Sequence, residues 1–428
     1  MKKFLALLLA FLLLFALPVS AAEFDKNITA RSYYIVDLVT GRTLASQDAE
    51  TAYEPASLTK IMTALVTLEN CADPENTIVT IPDTKLFAEV YADNGVHISL
   101  KKGEEISVKD LLYATMLPSA CDAATALAWF IGGENTQNFY DMMNARAEEL
   151  GLTATHFENA HGLTADGHTS SARDMAILAQ EALKNEDFAK IVSTYKYTIP
   201  ANNKSDKRNI RSTIKLMNPS SPYYFEGASG VKTGFTYGAG RCLITTAARE
   251  DERYLTVIMG SAYVPDNRAF PDTVEALNWS FDTFAVESAV CDTPAVPIVH
   301  GVEKEVLPAF KTNISAPIAS DESLTVSYTP VESVDAPVIA GETVLGTAKV
   351  FIGDILVGET ELIASVSVEE LPYPRWAAVF AWFGIHPYII MALLLLLLLF
   401  LAAVIRILYV QAVRRKRRRR KMAHLKRK

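Results

Sequence analysis

Three short strings in this chain carry the side chains of a serine acyl-transfer site: Ser57-Leu58-Thr59-Lys60, Ser119-Ala120-Cys121 and Lys232-Thr233-Gly234. A serine hydroxyl attacks a carbonyl only while a base takes its proton, and a lysine is such a base when it is held neutral. Ser-x-x-Lys begins at Ser57, Ser99, Ser193, Ser212 and Ser229, so spacing alone does not select the nucleophile. Context does. Only Ser57 opens an apolar run at helical spacing, Ile61, Met62, Leu65, Val66 and Leu68, with Pro55 just before it. Residues three apart share a helix face, which brings Lys60 within reach of Ser57. A helix start also offers N–H groups and the positive end of the dipole to a developing oxyanion. Ser57 is therefore the expected nucleophile, Lys60 the general base, and Ser119 a proton relay toward the leaving amine. Burial and the nearby charge of Lys232 are expected to favour neutral Lys60.

With these strings in this order, the sequence resembles the penicillin-binding D-alanyl-D-alanine carboxypeptidases, low-molecular-mass serine peptidases of the cell wall, of the S11 type. The resemblance extends through Ser32-Tyr33-Tyr34-Ile35-Val36-Asp37, Thr155-His156-Phe157-Glu158-Asn159, His161-Gly162-Leu163, Gly167-His168-Thr169 and Gly240-Arg241-Cys242-Leu243, and covers about Ser32 to Glu370. It implies an α+β, β-lactamase/transpeptidase-like catalytic domain, an antiparallel sheet with helices, followed by a small all-β domain. It also implies removal of the terminal D-alanine from peptidoglycan pentapeptides through an acyl-enzyme at Ser57, with β-lactams acylating the same serine. The N–H groups of Ser57 and Phe235 would hold the oxyanion, and Lys232 and Thr233 the substrate's terminal carboxylate. Gly234 would let an extended peptide lie close along the strand edge. Where the family usually has Asn, this chain has Cys121, a poor donor and acceptor, so orienting contacts to base and substrate weaken. Two alternatives stay open: a DD-endopeptidase, and a catalytically weakened wall-binding homologue. A β-lactamase is disfavoured, since no convincing Glu-x-x-x-Asn deacylation element is found.

The elements that position these residues follow from pattern. Residues 22–280 hold every string above and mix helical stretches, Ala123 to Phe130 and Met175 to Leu183, with strands. Arg241 to Ala248, a charged turn and Tyr254 to Met259 form an antiparallel meander after Lys232-Thr233-Gly234. Over 290–370 helix signals fade, and Gly353-Asp354 separates two β-rich runs as a hairpin turn does.

The ends place the chain. Lys2 and Lys3, an apolar run from Phe4 to Leu17 and Val19-Ser20-Ala21-Ala22 read as a signal peptide over 1–21. A second apolar run predicts a transmembrane helix over 387–410, with Trp376, Trp382, Phe383 and Tyr388 suited to the outer interface. The tail 411–428 is strongly basic, so it stays cytoplasmic and the body lies outside the bacterial cell membrane on a single pass. Of 41 Lys and Arg, two lie in the leader and twelve between Arg406 and Lys428; the other 27 face 49 acids between Glu23 and Glu370, a charge near −22. That balance excludes nucleic acid as a partner of the body. Cys71, Cys121, Cys242 and Cys291 sit in the exported part and allow three complete pairings. His156 and His161 are five apart, not the four of His-Glu-x-x-His, and no metal or cofactor is implied.

Overall fold

The computed structural model describes residues 24–262, 267–372 and 387–425; the expected signal peptide and Trp376, Trp382 and Phe383 lie outside them. Five strands form one antiparallel sheet: β1 (Ser32–Asp37), β2 (Thr43–Gln47), β3 (Ala228–Thr236), β4 (Gly240–Arg249) and β5 (Glu252–Ser261), in the order β2-β1-β5-β4-β3. Side chains alternate across this sheet with the period of two that a strand imposes. Tyr33, Ile35, Tyr254 and Ile258 enter one core with Leu277 and Trp279, whereas Val36, Leu255, Val257 and Met259 enter the other. Apolar residues on both faces require cover on both faces, and helices supply it. On the first side lies α5 (Ala269–Thr283), and in the second core are α1 (Lys60–Asn70), α2 (Val108–Met116), α3 (Cys121–Ile131) and α4 (Ala172–Leu183). The fold is thus α+β, with β3 on the sheet edge.

The two helices that matter for chemistry are buried over most of their length. Ile61, Met62, Leu65 and Val66 of α1 are at most 2% exposed, each contributing roughly 1.5–3 kcal/mol of burial. In α3, Ala123, Ala124, Ala126 and Ala128 are fully buried, small side chains that let neighbouring elements close in.

Contacts divide the chain into two units. The first comprises Met1–Asp292, Phe310–Thr329 and Thr347–Glu361, and the second Thr293–Ala309, Pro330–Gly346 and Leu362–Lys428. This division does not follow the composition change near residue 290. The cause is strand pairing: Phe284–Ser288, directly after α5, pairs antiparallel with Ser315–Ala319 and ties Phe310–Thr329 to the first unit. The expected turn at Gly353-Asp354 lies between strands Val344–Ile352 and Ile355–Ala364, with Gly353 at φ 55°. Within the second unit, Val296–Val299 pairs antiparallel with Glu305–Val306 and parallel with Val334–Asp335. A helix over Pro387–Leu425 includes Met391–Arg419, 29 residues long and apolar enough to cross a membrane. At about 1.5 Å per residue it exceeds a hydrocarbon core of about 30 Å, and the helix runs on into the basic stretch.

One buried ion pair closes the first unit. Arg42, in the β1–β2 turn, donates to both carboxylate oxygens of Glu322, with the two side chains 5% and 1% exposed, and to the Pro317 carbonyl at 3.2 Å. Removing one partner leaves a buried charge uncompensated. Arg42→Met should therefore cost about 3 kcal/mol in denaturant unfolding, and adding Glu322→Gln should recover part of the loss, as a double-mutant cycle would read.

Candidate active site

Ser57 sits in a 3₁₀ turn, Ala56–Thr59, that runs directly into α1. Ala56 has φ 48°, a left-handed conformation that costs a side chain of order 1–3 kcal/mol and that surrounding packing must hold in place. Lys60, in the first turn of α1, puts its Nζ 2.9 Å from Ser57 Oγ. The same amine contacts the His161 carbonyl and Cys121 Sγ, the latter at 3.4 Å. A neutral amine has two hydrogens and one lone pair. The hydrogens suit the carbonyl and the sulfur, which leaves the lone pair for the serine proton.

A loop across the turn fixes this arrangement. Gly162 has φ 80°, and a Cβ there would stand 1.9 Å from the Ala56 carbonyl oxygen, so only glycine permits the approach. The Asn159 side chain accepts from the N–H groups of His161 and Gly162, at 3.2 and 2.6 Å, and holds the loop. Below it, burial pushes His168 down to about 4, so the ring is neutral. Its Nδ1 accepts from the Glu158 N–H at 2.9 Å, which assigns the proton to Nε2. Nε2 then donates at 2.7 Å to Thr59 Oγ1, whose own hydrogen goes to the Ala56 carbonyl.

The opposite wall comes from the start of α3 and from β3. Ser119 is left-handed, φ 70°, just before Ala120, the N-cap of the helix. Cys121 is the first residue of α3, with its N–H on the Val96 carbonyl at 2.6 Å and its Sγ 3.8 Å from the Ser119 carbonyl. The neighbouring Asp122 carboxylate accepts from Ile98, Leu100 and Ala123 N–H groups, so it braces the 96–100 segment. In β3 the pairing register shifts between Gly230 and Lys232, an irregularity that resets the alternation of side chains. Both Val231 and Lys232 are buried as a result.

Ser57, Ser119, Cys121, Thr233, Gly234 and Phe235 line one cleft of about 970 Å³. Lys60 and Lys232 do not; both are fully buried behind it. Burial lowers the proton affinity of each lysine below the ordinary 10.5, and Lys232 falls further because the Lys60 charge repels it. Two placements differ from expectation. Lys232 Nζ donates to the Thr233 carbonyl at 3.0 Å, so Thr233, not Lys232, is at the cleft surface. The missing Cβ of Gly234 faces Pro55 O at 3.2 Å and Ala56 Cβ at 3.3 Å, so this glycine lets the Ser57 turn pack on β3.

Sequence reasoning missed several contributors. Thr213 reaches Thr233 hydroxyl to hydroxyl at 2.6 Å, and Glu54 accepts from Thr164 at 2.9 Å and Thr236 at 2.7 Å, linking loop to strand. Asp122 adjoins Cys121, and that adjacency was the only available signal, whereas Gly162 lies in the His161-Gly162-Leu163 string already noted. Among the described residues Cys71, Cys121 and Cys242 are buried free thiols, and no group of three or more metal-ligating side chains occurs. A depression of about 1070 Å³ near Thr40, Arg253, Phe281 and Ser315 contains none of these residues.

A family model described as D-alanyl-D-alanine carboxypeptidase matches residues 19–262. The chain is 34% identical to D-alanyl-D-alanine carboxypeptidase DacF of Bacillus subtilis (strain 168), covering 66% of this chain and 72% of that one. It is 30% identical to DacC of Escherichia coli (strain K12), covering 84% and 90%. Its structure matches penicillin-binding protein 5 from Haemophilus influenzae with a TM-score of 0.62 and 25% identity, over 82% of this chain and 100% of that one.

Two amines buried in one site oppose folding while they carry protons. Lys232→Met should abolish acylation by penicillin yet raise stability by about 1 kcal/mol or more at pH 7. The folded-state proton affinity of Lys232 is below its unfolded value, so the unfolded chain binds the extra proton and wild-type stability rises with pH toward about 10.5. The advantage of the variant in melting temperature should therefore shrink as pH rises.

Proposed function

The chain belongs to the D-alanyl-D-alanine carboxypeptidase family, and from that membership we propose which residues carry its reaction. The activity is serine-type removal of the terminal D-alanine from D-Ala-D-Ala peptides of the cell wall. The single observation that carries the assignment is Lys60 Nζ at 2.9 Å from Ser57 Oγ, with the amine fully buried. Lys60 takes the Ser57 proton as Oγ attacks the carbonyl of the penultimate D-alanine. The N–H groups of Ser57 and Phe235 receive the oxyanion. Ser119 passes the proton to the leaving nitrogen, the C–N bond breaks, and D-alanine departs from an ester on Ser57. Water then cleaves the ester, with Lys60 again as base. The Thr233 and Thr213 hydroxyls receive the terminal carboxylate, and Lys232 adds its field from behind. A site built around a free carboxylate favours carboxypeptidase chemistry over attack within a chain, and β-lactams occupy it as mimics of the dipeptide.

The proposed organisation keeps a catalytic domain over 22–280, β-rich structure over 290–370, a transmembrane helix over 387–410 and a basic tail over 411–428, after a signal peptide over 1–21. Arg414 to Arg419, next to the apolar span, supports a cytoplasmic C-terminus and an external catalytic domain. Protease applied to intact cells should degrade the region Glu23 to Glu370 and spare a tag placed after Lys428; a digested tag would reverse the orientation.

Fluorescent penicillin should label the protein, and Ser57→Ala should abolish labelling while Ser99→Ala, Ser193→Ala and Ser229→Ala retain it. A penicilloyl adduct mapped to another serine would refute the assignment. On a D-Ala-D-Ala pentapeptide, Cys121→Ala should change turnover little and Cys121→Asn should raise it about ten-fold, restoring a full donor and acceptor beside Lys60.

A further inference from the structure

Given the proposed function, on which this inference rests, the free edge of β3 gives a bound peptide a direction. The terminal carboxylate is at Thr233 and Thr213 and the scissile carbonyl at the Phe235 N–H, so the peptide runs antiparallel to β3. The penultimate D-alanine then faces Phe235, and the residue before it faces Thr236. Directly opposite residues in such a pair send their side chains to one face. Thr236 sends its own to Glu54.

Glu54 ties loop to strand with only one of its two oxygens. Oε2 accepts from Thr164 at 2.9 Å and from Thr236 at 2.7 Å, whereas Oε1 has no hydrogen-bond or ion-pair partner among the described residues. A Cβ at Gly238 would collide with Oε1, so the glycine leaves that oxygen room. The cations around it are turned elsewhere. Arg31 donates to the Gly238 carbonyl at 3.2 Å. The Arg241 guanidinium stacks over Phe235, 3.9 Å from the ring centroid, on the strand face that Thr236 does not share. Asp93 adds a second carboxylate without an ion pair to the cleft lining, two residues before Gly95, where a Cβ would touch Leu163 at 3.4 Å. The cleft is therefore uneven in charge, with Lys215 beside Thr213 and carboxylates next to Leu163 and Thr164.

A carboxylate with a spare oxygen, placed where a substrate side chain arrives, selects a cation. We propose that Glu54 is a specificity-determining residue: its Oε1 receives a side-chain ammonium on the residue before the two D-alanines. The preferred substrate is a stem peptide in which that amine is free. Acylating the amine removes the charge that Glu54 would bind, so a stem branched or cross-linked through it becomes a poor substrate. The reaction therefore precedes whichever amide-forming step consumes the amine.

The test uses the full chain in detergent and two peptides, α-acetyl-L-Lys-D-Ala-D-Ala with the side-chain amine free or acetylated. Wild type should prefer the free amine by about five-fold in kcat/KM, mainly through KM, with the preference shrinking as salt is raised. Glu54→Gln keeps an oxygen for Thr164 and Thr236 and removes the charge, so the preference should fall to about one, whereas Asp93→Asn should keep most of it. If Glu54 only braces the loop, Glu54→Gln slows both peptides alike and the preference persists, which overturns the inference. Equal wild-type rates on the two peptides, or a preference lost in Asp93→Asn, would also overturn it and leave the carboxypeptidase reading intact. Failure of wild type to release D-alanine from both peptides would instead overturn that reading, and the inference with it.

Discussion

Everything in the site depends on keeping two lysine amines out of water behind one serine. Burial strips Lys60 of its hydration and lowers its proton affinity, the condition its proposed role as base to Ser57 requires, and Lys232, buried too and repelled by the Lys60 charge, falls further. The surroundings are consistent with this need. The protein groups that hydrogen-bond Lys60 and Lys232 are two carbonyls, a hydroxyl and a thiol. A carboxylate in contact would hold a lysine protonated. Asp122 is near enough to pull Lys60 upward slightly, but its oxygens are turned to the N–H groups of Ile98, Leu100 and Ala123. The charge that could spoil the base is spent on shaping a wall of the cleft.

Holding the serine in front of those amines takes backbone that would not adopt such shapes alone. Ala56 and Ser119 are both left-handed, and Ser119 lines the same cleft as Ser57, the residue after Ala56. Each is set against a largely buried helix, α1 or α3, whose packing outweighs the local cost. Gly162 and Gly234 work from the other side, since each lacks a Cβ where the Ala56 backbone or side chain must approach. Strain and close approach thus meet at one turn, and the next residue is Ser57, the proposed nucleophile.

The sequence made the parts legible and hid their assembly. Periodicity from Ile61 to Leu68 located α1 because a helix face is a local property, and the meander of β4 and β5 was readable because its strands are consecutive. Ser57, Lys60 and Ser119 could be named because their spacing or order carries chemistry. The irregularity near Val231 could not, since it shows only when β3 is paired with β4. Thr213 and Thr233 are twenty residues apart, and Glu54 meets Thr236 across 182 residues. Such contacts are set by topology, which no local pattern reports. The interleaved units after residue 290 have the same origin, in a strand pairing between Phe284–Ser288 and Ser315–Ala319.

Cys121 shows how far the site tolerates a change of partner. An amide at this position would accept from Lys60 and donate elsewhere, and the thiol repeats that pattern: its sulfur is 3.4 Å from the amine and 3.8 Å from the Ser119 carbonyl. The connectivity survives while each contact weakens, because sulfur is a poor donor and acceptor. Sulfur is also large enough to make both contacts at these longer distances, so the pocket stays closed and Cys121 remains 3% exposed. Dry surroundings, the condition on which Lys60 depends, are therefore preserved. What the thiol gives up is orientation, which a weak partner cannot enforce on a flexible amine. In the proposed mechanism the thiol therefore bears on how the Lys60 amine is oriented toward Ser57, while the burial of that amine is kept.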